Sequence, residues 1–230
     1  MNKKIYALAI AIVMILPLVA ATQRVQAQGT TLSLTSPYAY IYVYATGGTV
    51  SINLTVQDVS SLWSWYADVS WNNSALRLTS TPTNVTEAPF LQNAGPTLFM
   101  ETPPAPGNIR ELSSTLLENT TASGSGDLAY VNFTVVALGG FTTVSLTNSM
   151  LLDNDPHPIS YSANSLTFAV RLMGDVNGDN KVDGRDITVI AKHFGQSVQP
   201  SFVQCDLNHD GKIDGRDITL AAKMFGKHWP

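Results

Sequence analysis

Between Gln28 and Val170, apolar and polar residues alternate with a period of two, as in strands that bury one face and wet the other. Tyr38, Tyr40, Tyr42 and Tyr44 share one parity, while Ala39, Ile41 and Val43 share the other. Thr46-Gly47-Gly48-Thr49 then reads as a turn into a second strand over 50–56. Farther on, Trp63, Trp65, Ala67, Val69 and Trp71 point to one face, and Ser64, Tyr66, Asp68 and Ser70 to the other. Ala129, Val131, Phe133 and Val135 repeat the device. Strands this numerous, with turn signals between them, predict a two-sheet β-sandwich.

From Gly174 the periodicity changes and an internal repeat appears. The run Asp175 to Thr188 returns as Asp206 to Thr219, an offset of 31 residues, and both copies continue to Phe-Gly at Phe194-Gly195 and Phe225-Gly226. A match of this length is a duplication. Ile187, Ile190, Ala191 and Phe194 stand at i, i+3, i+4 and i+7, as do Ile218, Ala221, Ala222 and Phe225, so each copy predicts one short amphipathic helix with these residues inward. Gly195 and Gly226 supply the stops. The joint between the two segments falls near 171–174, short enough that they should touch.

Within each repeat, oxygen-bearing side chains occupy positions 1, 3, 5, 9 and 12 of a 12-residue loop. They are Asp175, Asn177, Asp179, Asp183 and Asp186 in the first, and Asp206, Asn208, Asp210, Asp214 and Asp217 in the second. Lys181 and Lys212, at position 7, offer backbone carbonyls. Calcium takes six to eight hard oxygen ligands, and this spacing wraps a loop around one ion, with position 12 closing it from the following helix. Two calcium ions are therefore expected. Position 6 requires a residue at ease with positive φ, and Asn180 and Gly211 satisfy it. Four carboxylates crowded in each loop repel one another without a cation. A core this small, from fewer than 60 residues, leaves bound metal to supply much of the folding free energy. Cys205, the single cysteine, is read as a small buried hydrophobe.

Composition narrows the classes. The chain has 230 residues, 44% hydrophobic and 13% charged, with a formal net charge of −4. It offers no basic surface for nucleic acid, and one cysteine excludes both a disulfide framework and a sulfur-ligated metal. Lys3 and Lys4, an apolar run over 5–20 broken by Pro17, and Val25-Gln26-Ala27 together outline a secretory signal peptide over 1–27. That run is too short to span a bilayer, so no membrane span is expected after cleavage and the mature protein is placed outside the cell or on its surface. Removing Lys3, Lys4 and Arg24 leaves ten basic against 17 acidic residues, a mature net charge of −7. Asn-x-Ser/Thr triplets at Asn53, Asn72, Asn84, Asn119 and Asn132 could carry glycans only where they face solvent.

Residues 174–226 resemble a type I dockerin, a module of two calcium loop-helix repeats that bear EF-hand-like loops. In that family the residues at positions 10, 11 and 18 meet a cohesin partner, which here implies Gly184, Arg185 and Lys192, and Gly215, Arg216 and Lys223. Gly-Arg stands where the family often has Ser-Thr. Near-identity of the repeats implies that either copy could face the partner. Residues 31–170 are similar to a cohesin domain in the stretches 56–78, 124–140 and 142–170, which implies a jelly-roll sandwich related to certain carbohydrate-binding modules. The chain thus divides into a signal peptide (1–27), a cohesin-like sandwich (31–170) and a dockerin (174–230).

Two functional readings follow. One is an exported, non-catalytic assembly protein with a cohesin-type partner, or a second copy of itself, in a polysaccharide-processing complex. The alternative is a carbohydrate-binding module with a dockerin tail, its tyrosine row with Tyr66 stacking on sugar. An enzyme is not expected. His157 is isolated between Pro156 and Pro158, no serine or cysteine lies in a nucleophile motif, and no pair stands out among Glu87, Glu101, Glu111 and Glu118.

Overall fold

The structure, a computed structural model, describes residues 29–78 and 84–229. The signal-peptide reading at 1–27 lies outside the described residues. Among the described residues twelve strands form two six-stranded sheets. The first runs β11 (Ser162–Asn164), β1 (Thr31–Thr35), β3 (Thr49–Leu62), β9 (Ala122–Val135), β5 (Leu76–Leu78), with β6 (Val85–Glu87) also on β9. The second runs β2 (Tyr40–Val43), β12 (Leu166–Leu172), β10 (Phe141–Leu152), β4 (Ser64–Trp71), β8 (Asn108–Leu116), β7 (Thr97–Met100). Neighbours are antiparallel except at one edge of each sheet, where β1 pairs parallel with β11 and β2 with β12. Successive strands stay in one sheet only at β5–β6 and β7–β8, and at every other step the chain crosses to the facing sheet.

Alternation fixes which faces meet. Val50, Ile52, Leu54 and Val56 of β3, Ala129, Val131, Phe133 and Val135 of β9, and Trp65, Ala67, Val69 and Trp71 of β4 are all buried. Trp71 meets Phe133 edge-on at 5.0 Å. Trp63, expected on the same face, falls between β3 and β4 and is only partly buried. Phe133→Ala is expected to cost about 3–5 kcal/mol, from lost burial and the cavity it leaves, read as a lower denaturation midpoint with the slope unchanged. Asn84 is 4% exposed and its Oδ1 accepts from Val85 N, so that triplet cannot carry a glycan without local opening.

Behind a short helix α1 (Pro89–Gln92) on the sandwich come α2 (Gly184–Lys192) and α3 (Gly215–Lys223) of the C-terminal module, with a 3₁₀ turn at Val203–Cys205 between them. The expected inward faces hold at Ile190 and Ala221, with Ile187 and Ile218 partly buried against the core, and fail toward the C-terminal ends. Asp186 and Ile190 are buried in α2, and Asp217 and Ala221 in α3, with Met224 just past its end. Ala191 and Ala222 are exposed, and Phe194 and Phe225 are 56% and 61% exposed. The cause is the carboxylate at position 12. It points into the loop, so the buried row starts there and reaches Ile190 and Ala221 four residues later, on the side of each helix away from Ala191 and Ala222. Both Phe rings also lie beyond the ends of their helices.

The two repeats close on each other. Val182, at position 8 of the first loop, exchanges backbone bonds with the segment after α3 (Val182 N to Lys227 O, 2.9 Å; Gly226 N to Val182 O, 2.8 Å). Ile213 does the same with the segment after α2 (Gly195 N to Ile213 O, 2.8 Å; Ile213 N to Gln196 O, 3.0 Å). The module also sits against the sandwich, and Leu172, Met173, Val176 and Val182 belong to one continuous buried cluster with the sheets.

Candidate metal centre and partner face

Each loop is organised by its carboxylates. Asp175 Oδ1 accepts from Gly178 N and Asp179 N, and its Oδ2 from Asn180 N. Asp186 Oδ1 accepts from Val176 N and Asn177 N. Asn177 Oδ1 accepts from Asp179 N, and Asp179 Oδ1 from Lys181 N. The second loop repeats the pattern through Asp206, Asn208, Asp210 and Asp217. Position 9 has a second task, since Asp183 and Asp214 cap α2 and α3, accepting from Arg185 N and Arg216 N, while Asp186 and Asp217 complete capping boxes. Asn180 and Gly211 take the expected positive φ, 65° and 85°.

Among the described residues no three His, Cys, Asp or Glu side chains form a close cluster of their own. The loops are instead a mixed oxygen set, in which Asn177, Asn208 and the carbonyls of Lys181 and Lys212 stand beside the carboxylates. Their chemistry fits a hard divalent ion. Asp175, Asp186 and Asp217 are fully buried and Asp206 nearly so, and among the described residues no salt bridge reaches any of them. Buried, paired carboxylates without a cation are costly. Burial pushes Asp175, Asp186 and Asp217 above the ordinary carboxylate range, against the pull of their backbone N–H bonds, and Asp186 pushes Asp175 further.

At these three groups the folded chain binds protons more tightly than the unfolded one. In chelator their contribution to stability is therefore greatest below the unfolded pKa and is lost as pH rises through the raised folded values. A cation acts in the opposite sense, because it needs the ionised forms. The rise in melting midpoint produced by calcium is expected to grow from about pH 5 to about pH 7. Equal increments at both ends would reject the assignment.

Cys205 is fully buried beside Val189 O, and burial pushes its thiol up to about 11, in keeping with a packed hydrophobe. Two shallow surface depressions lie along the helices, lined by matching residues. Asp183, Gly184, Arg185, Thr188, Val189 and Lys192 line one, and Asp214, Gly215, Arg216, Thr219, Leu220 and Lys223 the other. Both are open to solvent in the intact chain. The arginines fold back onto their own loops, Arg185 to Asp179 at 3.4 Å and Arg216 to Asp210 at 2.6 Å.

A family model of the dockerin type I domain matches residues 173–225. This chain carries a dockerin behind a cohesin-like sandwich. Among solved structures, the sandwich is similar to that of a type I cohesin–dockerin complex from Clostridium thermocellum, at 8% identity and TM-score 0.51, covering 62% of this chain and 99% of that one. It is also similar to the sixth cohesin of scaffoldin B from Acetivibrio cellulolyticus, determined with a dockerin, at 15% identity and TM-score 0.50, covering 63% and 100%. A non-cellulosomal cohesin from the hyperthermophilic archaeon Archaeoglobus fulgidus matches at 20% identity and TM-score 0.49, covering 62% and 91%. The first two of these likenesses show the fold of the sandwich. No curated protein matches the chain.

The carboxylates considered for catalysis are dispersed. Glu87 accepts from Gln92 Nε2, Thr97 Oγ1 and Ser114 Oγ, tying β6, α1, β7 and β8 together. His157 is exposed beside Asp153. Sequence reasoning missed a polar shelf on the outer face of the second sheet. There Tyr66 donates to Asp68 (2.9 Å), Asn148 donates to Tyr66 (2.8 Å) and Glu111 N donates to Asp68 (2.9 Å). Both neighbours of β4 shift register beside Asp68, an irregularity that strict alternation does not announce.

Proposed function

We propose that this chain is an exported assembly protein without catalytic activity of its own, whose dockerin binds two calcium ions and plugs into a cohesin-type domain within an extracellular or cell-surface polysaccharide-processing complex. The observation that carries the reading is the pair of equivalent, solvent-facing helix surfaces centred on Arg185 and Arg216, left open although the module is packed against its own sandwich. The calcium supplies counter-charge that lets the buried carboxylates remain ionised while the chain's own backbone N–H groups hold them in place. The lysine and arginine residues of the open faces suit an acidic partner surface, and the sandwich of another copy, with nine acidic and two basic residues over 28–170, has that character.

The test is calorimetry of the full chain against purified cohesin domains from the same source, with calcium and then with chelator. Calcium-dependent binding to at least one is expected, and no binding to any would reject the reading. Sedimentation of the chain alone at rising concentration decides whether it is its own partner. The carbohydrate reading loses its main support, because Tyr38 and Tyr42 of the tyrosine row are engaged by the dockerin. Retardation on polysaccharide gels would restore it.

A further inference from the structure

We infer that the edge formed by β2 and β12 is a docking platform for the calcium loops of this chain's own dockerin, and that docking and calcium binding stabilise one another. Both loops touch it. Tyr38 stacks on His209 at 3.6 Å with the rings 10° apart. Tyr42, whose phenol is pushed well up by burial, donates to Gln204 O at 2.6 Å, just ahead of the second loop. Arg171 lies over the Tyr40 ring and donates to Val176 O at 2.7 Å in the first loop.

The repeats themselves carry the stronger sign. Their 12-residue loops differ at positions 2, 4, 6 and 8. Positions 2 and 8 exchange one aliphatic residue for another in the core, whereas 4 and 6 change in kind, from Gly178 to His209 and from Asn180 to Gly211. Three of those four residues face the sandwich. A Cβ on Gly178 would fall 2.8 Å from the Arg171 guanidinium, so a side chain there would have to displace Arg171 from its place against the first loop. Asn180 fills the space beside Gly139, where an added Cβ would fall 2.0 Å from its Oδ1. A Cβ added to Gly211 would meet nothing within 4 Å. Position 4 is left-handed in both loops, φ 78° at Gly178 and 58° at His209, a conformation uncommon outside glycine but one that histidine adopts more readily than most residues, here with its ring stacked on Tyr38. A two-fold module has thus broken its symmetry where it meets the sandwich, and only one of its two orientations fits.

The loop shapes that dock are those set by the carboxylate bonds within them, so losing the ion loosens the docked surface. By reciprocity, docking raises calcium affinity by the same factor. This rests on the calcium reading above. Calcium calorimetry on the full chain is the test, comparing the parent with the Tyr38→Ala, Tyr42→Phe double variant and with Tyr44→Ala, whose side chain on the same row is exposed. The double variant is expected to bind calcium at least about fivefold more weakly, with Tyr44→Ala unchanged and circular dichroism in saturating calcium the same for all three. In small-angle scattering, chelator is expected to enlarge the parent's radius of gyration. Equal affinities in parent and double variant, both folded, would overturn the coupling alone. A parent that binds no calcium would overturn the calcium reading with it.

Discussion

Stripping calcium from the intact chain is expected to abolish the helical part of its far-UV circular dichroism while the sheet signal persists. Asp186→Ala and Asp217→Ala should each leave one of two calcium sites. Position 12 carries three loads at once in each repeat. Asp186 gathers the N–H groups of Val176 and Asn177 on one oxygen and Asp183 N on the other, and its burial sets the phase of α2. Alanine removes all three. At free calcium 100 times Kd, a single occupied site adds roughly 2.7 kcal/mol of stability, a large share of what a module with two nine-residue helices can muster. Calorimetry reads the stoichiometry directly, and two sites surviving in either variant would sink the loop assignment.

Replacing Arg185 and Lys192 with alanine should weaken binding of a cohesin-type partner only slightly, and replacing Arg216 and Lys223 as well should abolish it. The two depressions offer the same residues on the same helical turns, so losing one leaves the other and halves the number of binding modes. That is about twofold in affinity, roughly 0.4 kcal/mol. The arginine–aspartate pairs lost in the process are exposed and screened by solvent, so folding is not the confounding variable. A double-mutant cycle across the two faces should show strong non-additivity. Additive losses would mean that a single face does the binding.

Much of this was legible in the sequence because two kinds of period are hard to counterfeit. Strict alternation marked the inward rows of β3, β4 and β9, and a 31-residue echo marked the two loop-helix repeats. What escaped depended on relations between elements. The phase of α2 and α3 is dictated by where Asp186 and Asp217 must point, which aliphatic spacing does not encode. Alternation alone marks the row from Tyr38 to Tyr44 as a candidate for sugar stacking. The structure gives Tyr38 and Tyr42 to the dockerin, a contact spanning 162 residues of sequence at Tyr42. A clue lay in the repeat itself, where the loops change in kind from Gly178 to His209 and from Asn180 to Gly211.

The exchanged ladder of the dockerin has an evolutionary consequence. Val182 finds its backbone partners after α3, and Ile213 finds its own after α2, so neither repeat completes its own pairing. A lone ancestral unit would have had to borrow that pairing from a second molecule. Gene duplication then reads as the covalent fusion of a homodimer, after which the halves were free to diverge, one keeping glycine and the other gaining histidine where an outside surface came to distinguish them.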